Sequence, residues 1–173
     1  MNSVIKSNST RNNRALTAEW STPQDLFNKL NDEFHFTLDA CAQPFNAKCT
    51  KFFSPQQDGL KQSWKGERVF CNPPSGTKSF YQWVHKASDE ARKKNTLVVM
   101  LLPVSTDSAW FKNYIYHQPG VIIRFLPERV KFTNPVVPSW VDGNTESGKS
   151  RDGSMRPTMV VIFTGEKKKF RVE

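Results

Sequence analysis

The residues best suited to chemistry are Asn72, Pro73, Pro74 and Ser75, which directly follow the short strand-like segment R-V-F-C. Two adjacent prolines cannot continue a β-ladder, and they hold the backbone extended, so their carbonyl groups lack local amide partners. The Asn72 side chain adds another oxygen acceptor. A rigid pair of acceptors at a strand end is suited to holding the two hydrogens of an amino group. The alternative is a strand-terminating turn capped by Asn72.

The other nucleophilic and metal-binding residue types do not form a recognisable motif. The three cysteines, Cys41, Cys49 and Cys71, are an odd number without C-x-x-C spacing, and the three histidines are scattered. Zinc sites and disulfide frameworks are read from regular cysteine spacings. We therefore expect reduced thiols in a cytoplasmic protein, and no metal centre.

The elements that position the acceptor corner alternate between strand and helix patterns. Apolar spacing predicts a helix of about ten residues after Thr22 and Pro23, a second helix over 80–91 and a third over 110–115. Thr22 is expected to cap the first helix, with Pro23 at its first position. Strand patterns cover residues 36–40, 51–53, 68–71, 97–102, 121–126 and 159–163. The alternation predicts an α/β fold with a mainly parallel sheet, whose ligands bind at the carboxyl ends of the strands.

The charge balance favours a polyanionic partner. Twenty-five Lys and Arg residues against sixteen Asp and Glu residues leave a net charge of +9. Such an excess attracts nucleic acid through phosphate contacts and counterion release. No apolar run approaches the roughly 20 residues that span a bilayer, and no secretory signal opens the sequence. We expect a soluble, unexported protein.

Composition divides the chain into three parts. Residues 1–18 are rich in Asn and Ser and contain no acid, which predicts a flexible basic arm. Residues 19–165 form the expected domain, and residues 166–173 a basic tail. Within the domain, residues 133–157 lose apolar periodicity and gain Pro and Gly, which is typical of a functional or disordered loop.

Six short motifs follow one another over roughly residues 19–132. They are W-S-T-P (20–23), F-T-L-D-A-C-A (36–42), D-G-L (58–60) followed by Trp64, V-F-C-N-P-P (69–74), W-V-H-K-A (83–87) and R-V-K-F (129–132). In this order and spacing they resemble the phage-type DNA N-6-adenine methyltransferase (Dam-like) family.

The resemblance implies a Rossmann-like methyltransferase fold, in truncated form, that uses S-adenosylmethionine to methylate the exocyclic amine of adenine in double-stranded DNA. In similar enzymes an N-P-P-Y or D-P-P-Y segment holds the flipped-out base, which implies catalytic roles for residues 72–75. Residues that the resemblance assigns to the cofactor site are Trp20, Thr22, Pro23, Asp39, Cys41 and Asp58.

Two features depart from the pattern of such enzymes. Ser75 replaces the aromatic residue that usually follows the prolines, so Phe80 or Tyr81 would have to stack on the base, unless both belong to the core. The Gly-x-Gly turn that often admits the cofactor is also absent, although phage-type members look similar in having L-D-x-C-A there.

Target recognition is expected from the basic arm and from residues 133–157. Candidate DNA-contacting residues are Lys131, Lys149, Arg151 and Arg156. Two alternatives remain open from the residues. One is methylation of cytosine's exocyclic amine or of a protein glutamine; the other is a catalytically silent DNA-binding protein of the same fold.

Overall fold

The computed structural model describes residues 21–74, 77–132, 156–165 and 169–173. Four residues singled out from the sequence, Trp20, Ser75, Lys149 and Arg151, lie outside these ranges, as do the basic arm and most of the 133–157 segment.

Three helices lie within the described residues: α1 (Gln24–Phe34), α2 (Thr77–Ala91) and α3 (Ala109–Tyr114). Each bears the apolar stripe expected from its sequence. The start of α1 differs from the prediction, because Pro23 occupies the N-cap position and no side chain caps the helix. The expectation that Thr22 caps α1 was therefore wrong, and its hydroxyl is available for another partner.

The described strands form one six-stranded sheet in the order β1-β2-β3-β5-β4-β6. Their bounds are β1 Leu38–Asp39, β2 Arg68–Cys71, β3 Leu97–Pro103, β4 Val121–Phe125, β5 Thr158–Phe163 and β6 Arg171–Val172. Segment 51–53 contributes one isolated parallel bridge, between Phe52 and Asp39, instead of a strand. Strand β6 lies within the segment expected to be a basic tail.

The sheet is mixed: among the described strands β5 is reversed, and the others run in one direction, which agrees with the prediction of a mainly, but not purely, parallel sheet. Strands β1, β2 and β3 are parallel, and so are β4 and β6, but β5 runs antiparallel to both of its neighbours, β3 and β4. Both β3 and β5 are covered on both faces and read as continuous apolar runs. Such a run indicates burial but not direction.

The core fills both faces of this sheet. On one face, α1 packs Phe27, Leu30 and Phe34 against strand residues that include Phe70 and Val99. The opposite face carries α2 and α3, whose large side chains pack on alternate strand residues. The members of this second cluster include Trp64, Trp83, Trp110, Phe111, Val98, Met100 and Leu102.

Glu90, a buried acid of α2, forms a hydrogen bond with the segment before β2. The Glu90 side chain is 2% exposed, lies 2.7 Å from the ammonium groups of Lys86 and Lys93, and accepts a 2.9 Å hydrogen bond from the Trp64 backbone N–H. Burial raises the pKa of Glu90, but the two lysines and the amide outweigh it, so the net shift is downward. The carboxylate stays ionised at neutral pH.

The direction of β5 places both ends of the long β4–β5 connection at one edge of the sheet. Thr158, at the start of β5, pairs with Pro103 at the end of β3, and Met159 pairs with Phe125 at the end of β4. Strand β2 ends at this same edge, because it is parallel to β3. Within the described ranges, no helix combines the length and apolar character needed to cross a membrane.

Candidate active site

Two neighbouring parallel strands bring Asp39 and Asn72 to the same edge of the sheet. Asp39 closes β1 and pairs in register with Phe70 of β2, and the Ala40 N–H continues the ladder with a 2.9 Å bond to the Phe70 carbonyl. Asn72 directly follows β2. The carboxyl ends of parallel strands are where ligands bind in open α/β sheets.

The Asn72 corner is held on two sides. Its side-chain Nδ2 donates to the Thr22 hydroxyl at 3.2 Å, and its backbone carbonyl accepts from the Cys41 thiol at 3.2 Å. Asn72 is half-buried, Pro73 is buried and Pro74 is exposed. The corner is thus anchored in the protein and reaches the surface at Pro74.

Asp39 is a buried carboxylate, 3% exposed. Its two oxygens accept backbone hydrogen bonds from the Lys48 N–H at 3.0 Å and the Cys41 N–H at 3.4 Å. Burial raises the pKa of Asp39 to about 6, against the lowering effect of these two amides and of the Lys48 charge. An acid with such a pKa in a strand-end site is a functional candidate.

Two contributors to this site were not foreseen as site residues. The Cys71 thiol lies 3.7 Å from the Cys41 thiol, and burial, followed by this neighbour, raises the pKa of Cys41 well above its usual range. Lys48 contributes its backbone amide to Asp39, a role that no side-chain pattern can reveal. Cys71 could have been found from its position next to Asn72.

The turn at Asp58 and Gly59 packs against the end of β1. A Cβ atom on Gly59 would lie 2.1 Å from the Ala40 carbonyl oxygen, so only glycine allows this approach. Asp58 has a φ of 54°; its carboxylate accepts from the Leu60 N–H at 3.3 Å and lies 3.0 Å from the Lys61 ammonium. The structure therefore brings Asp58 near the segment that contains Asp39. The same position and contacts are also those of an ordinary turn residue.

The aromatic candidates for base stacking pack against α3. The Phe80 ring lies 5.9 Å from that of Trp110, and the Tyr81 hydroxyl is 3.1 Å from the Tyr114 hydroxyl. Both contacts are with α3 and fit the alternative interpretation, in which Phe80 and Tyr81 belong to the core and do not stack on the base.

Of the candidate DNA-contacting residues, Arg156 and Lys131 are described, and both are exposed. Arg156 donates from Nη1 to the Ser105 hydroxyl at 2.6 Å. Ser105 follows β3, so Arg156 lies at the same sheet edge as Asn72.

The described residues include no group of three or more His, Cys, Asp or Glu side chains that could hold a metal ion. A cavity of about 430 Å³ lies elsewhere, between α3 and strands β4 and β6, with Phe111, Tyr116 and Phe125 in its lining. Its lining contains none of the candidate catalytic, cofactor-binding or DNA-contacting residues. The candidate site is instead the place where Asp39 and Asn72 lie close together at the ends of β1 and β2.

The described residues thus form an α/β fold in which a buried acid lies beside an N-P-P corner at the carboxyl ends of neighbouring parallel strands, the arrangement that the sequence analysis expected of an amino-methyltransferase. Comparison with known proteins identifies the family. A profile of the family described as DNA N-6-adenine-methyltransferase (Dam) matches residues 6–172. The chain belongs to this family and is a DNA adenine methyltransferase.

Two phage proteins illustrate the similarity. A DNA N-6-adenine-methyltransferase of Haemophilus phage HP1 (strain HP1c1) is 31% identical over 162 residues, which cover 92% of this chain and 84% of the relative. A DNA N-6-adenine-methyltransferase of Escherichia phage T1 is 34% identical over 158 residues, which cover 83% of this chain and 61% of the relative. The resemblance inferred from the motifs is confirmed.

Proposed function

We propose that the protein transfers a methyl group from S-adenosylmethionine to the exocyclic amine of adenine in double-stranded DNA, on a Rossmann-like methyltransferase fold. The observation that carries the proposal is the link between Asp39 and Asn72 through one residue. Cys41 donates its backbone N–H to Asp39 and its thiol to the Asn72 carbonyl. The acid and the acceptor corner therefore form one connected unit.

The residues around Asp39 fit the proposed cofactor. S-adenosylmethionine carries a sulfonium cation, an amino group and two ribose hydroxyls, and supplies an activated methyl group when bound. Asp39 accepts two backbone hydrogen bonds from the described residues, whereas an ionised carboxylate offers about four lone-pair sites. A nearby cation would also offset the burial that raises its pKa. Thr22 and Asp58 border the same strand ends and complete the candidate set.

The Asn72 side-chain oxygen and the Pro73 carbonyl are the proposed acceptors for the adenine amine. This amine is a poor nucleophile because its lone pair is delocalised into the ring. Two acceptors drawing its hydrogens favour a pyramidal nitrogen, whose lone pair would form the new N–C bond as the bond between the methyl carbon and its sulfur breaks; the surplus amine proton would then pass to solvent. Pro73 and Pro74 fix the backbone before the substrate arrives, so electrostatic preorganisation replaces a strong base.

Access to the amine requires the adenine to leave the duplex, which costs a few kcal/mol. The net charge of +9 favours phosphate contacts that offset this cost. Arg156 supports such a role, because it is exposed at the edge that carries Asn72. The phage origin of the relatives supports action on DNA inside a host cell, where methylation can protect a viral genome from restriction.

The test is product analysis with labelled S-adenosylmethionine and mixed-sequence duplex DNA, followed by digestion to nucleosides. We expect labelled N6-methyladenine. Asn72→Ala should lower the rate at least about 100-fold, since it removes one preorganised acceptor. Asn28→Ala, an exposed asparagine on α1, serves as the matched control and should keep the wild-type rate.

Label in cytosine or in protein, or DNA binding without any labelled product, would contradict the proposed transfer. Near-normal turnover by Asn72→Ala would refute the assignment of the acceptor corner.

A further inference from the structure

Lys48 is a half-buried cation without an acid partner in the described part of the chain. The other described lysines are exposed, apart from Lys86, which is also half-buried. The Lys86 ammonium lies 2.7 Å from the Glu90 carboxylate, whereas no Asp or Glu oxygen of the described residues lies within 4.0 Å of the Lys48 ammonium. A charge that is removed from water requires a compensating partner. The Lys48 ammonium is therefore suited to an anionic ligand.

The hydrogen bond that the Lys48 side chain makes does not supply this compensation. Its ammonium donates to the side-chain oxygen of Gln24, the first residue of α1, at 2.9 Å. The Gln24 amide is neutral, and an ammonium group has three donors, so charge and donors both remain for a ligand. Burial lowers the pKa of Lys48, which is the effect expected of a cation that has lost water without gaining a close anion.

Lys48 and Asp39 place opposite charges side by side without a direct ion pair. The Lys48 backbone N–H donates to the Asp39 carboxylate at 3.0 Å, while its side chain extends to the start of α1. The charges still influence each other, because each shifts the pKa of the other residue towards the ionised form. Gln24 follows Thr22 by two residues, and the Thr22 hydroxyl lies 3.2 Å from Asn72 Nδ2. Both charges therefore border the candidate site.

An α-amino acid carries the complementary pair of charges. The methionine part of S-adenosylmethionine has an ammonium group and a carboxylate on the same carbon atom. The site as described so far offers Asp39 to the ammonium group and assigns no residue to the carboxylate. A carboxylate accepts charge-assisted hydrogen bonds from a lysine ammonium.

We propose that Lys48 binds the carboxylate of the cofactor's methionine part, while Asp39 receives its ammonium group. The proposal rests on the function proposed above, and it adds a residue that the sequence resemblance did not assign to the cofactor site. Lys48 is then a specificity-determining residue, since it favours ligands that retain the amino-acid carboxylate.

The test measures Kd by calorimetry for S-adenosylmethionine, for S-adenosylhomocysteine, which keeps the carboxylate but lacks the sulfonium charge, and for decarboxylated S-adenosylmethionine. We expect Lys48→Met to weaken binding of the first two ligands about 10- to 100-fold, as for a lost hydrogen bond between charged groups. The Kd for the decarboxylated ligand should change by less than about twofold. The variant keeps the backbone N–H that donates to Asp39.

A pH of about 8 separates this contact from the titration of Asp39. Burial raises the pKa of Asp39 to about 6, and loss of the Lys48 charge would raise it further. At about two pH units above that value the carboxylate is mostly ionised in the wild type. A residual effect of its protonation would weaken all three ligands, because each carries the ammonium group.

Lys51→Met is the matched control. Lys51 lies three residues further along the same segment, and its exposed side chain pairs with Glu67 at 2.5 Å. Removal of its charge should leave all three Kd values unchanged. Lys48→Arg, which keeps a positive charge, should retain the preference for ligands that have the carboxylate.

The wild-type protein provides a comparison that does not depend on the folding of any variant. It should bind decarboxylated S-adenosylmethionine about 10- to 100-fold more weakly than S-adenosylmethionine. Equal wild-type Kd values for these two ligands would overturn the proposal. A folded Lys48→Met that weakens all three ligands by the same factor, or none of them, would also overturn it.

Failure of the proposed function has different signatures. They are normal turnover by Asn72→Ala, or a wild-type protein that binds neither S-adenosylmethionine nor S-adenosylhomocysteine. The second result would also refute the role of Lys48.

Discussion

Lowering the pH through the pKa of Asp39 should weaken the binding of S-adenosylmethionine. Burial raises that pKa to about 6, so the carboxyl group of the free protein gains a proton in a range where ordinary aspartates stay ionised. The proposed cofactor is cationic, so its proposed binding at Asp39 should favour the ionised carboxylate. The affinity should therefore be high above this pKa and fall below it.

The size of the effect follows from the titration. If the ionised form alone binds the cofactor, its Kd should be about tenfold higher at a pH of about 5 than at about 7. Binding at a pH near the pKa should also release protons, which calorimetry detects as a heat that depends on the buffer. Asp39→Asn should bind more weakly at neutral pH and show a flat profile.

The stability of the unliganded protein should change in the opposite direction. The folded pKa, about 6, exceeds the ordinary value of 3.8, so this group's contribution to stability is complete below 3.8 and is lost as the pH rises through about 6. Between a pH of about 5 and about 7 the loss amounts to about 1 kcal/mol. Urea unfolding at both pH values, with Asp39→Asn as the reference, measures this loss.

Two results of the binding experiment would refute the reasoning. One is a wild-type Kd for S-adenosylmethionine that is constant across this pH range; the other is a pH dependence of the Kd in Asp39→Asn that equals that of the wild type.

Two further predictions concern the support of the site. Gly59→Ala should lower the free energy of unfolding by about 1–3 kcal/mol, because the added methyl group meets the Ala40 carbonyl. Gly66→Ala is the control: its added methyl group would have no heavy atom within 4 Å, so the variant should lose only the free energy of the backbone strain at its positive φ. Equal losses of unfolding free energy in the two variants would contradict this prediction. Glu90→Gln should cost about 1–3 kcal/mol at neutral pH, since Lys86 and Lys93 lose a buried partner. Because the folded pKa of Glu90 is lowered, its contribution is present above 4.5 and lost as the pH falls through the folded pKa, so the difference in urea unfolding should shrink in acid.

Much of the fold is predictable from the sequence because periodicity reports burial. The helix stripes and the apolar runs of β2, β3, β4 and β5 fall where the structure places them, and their predicted ends differ by at most three residues from the observed ones. The position of Asn72 after β2 and of Asp39 at the end of β1 follows from the same patterns. The meeting of these two residues then follows from parallel pairing.

The remaining features depend on contacts between distant parts of the chain. The reversed direction of β5 leaves no mark in an apolar run that is buried on both faces. The hydroxyl of Thr22 has two possible partners, its own helix or Asn72, and the choice depends on a residue 50 positions away. The Lys48 amide reaches Asp39 through backbone geometry alone.

The reversal of β5 has a consequence for how such a protein can diversify. Since Phe125 and Thr158 both sit at the edge that carries Asn72, the connection between them starts and finishes there, and the pairings of β3, β4 and β5 do not depend on its length. A different connection can be grafted between these two fixed points without a change in the sheet. We therefore expect that exchange of this segment between relatives leaves the strands that carry Asp39 and Asn72 in place.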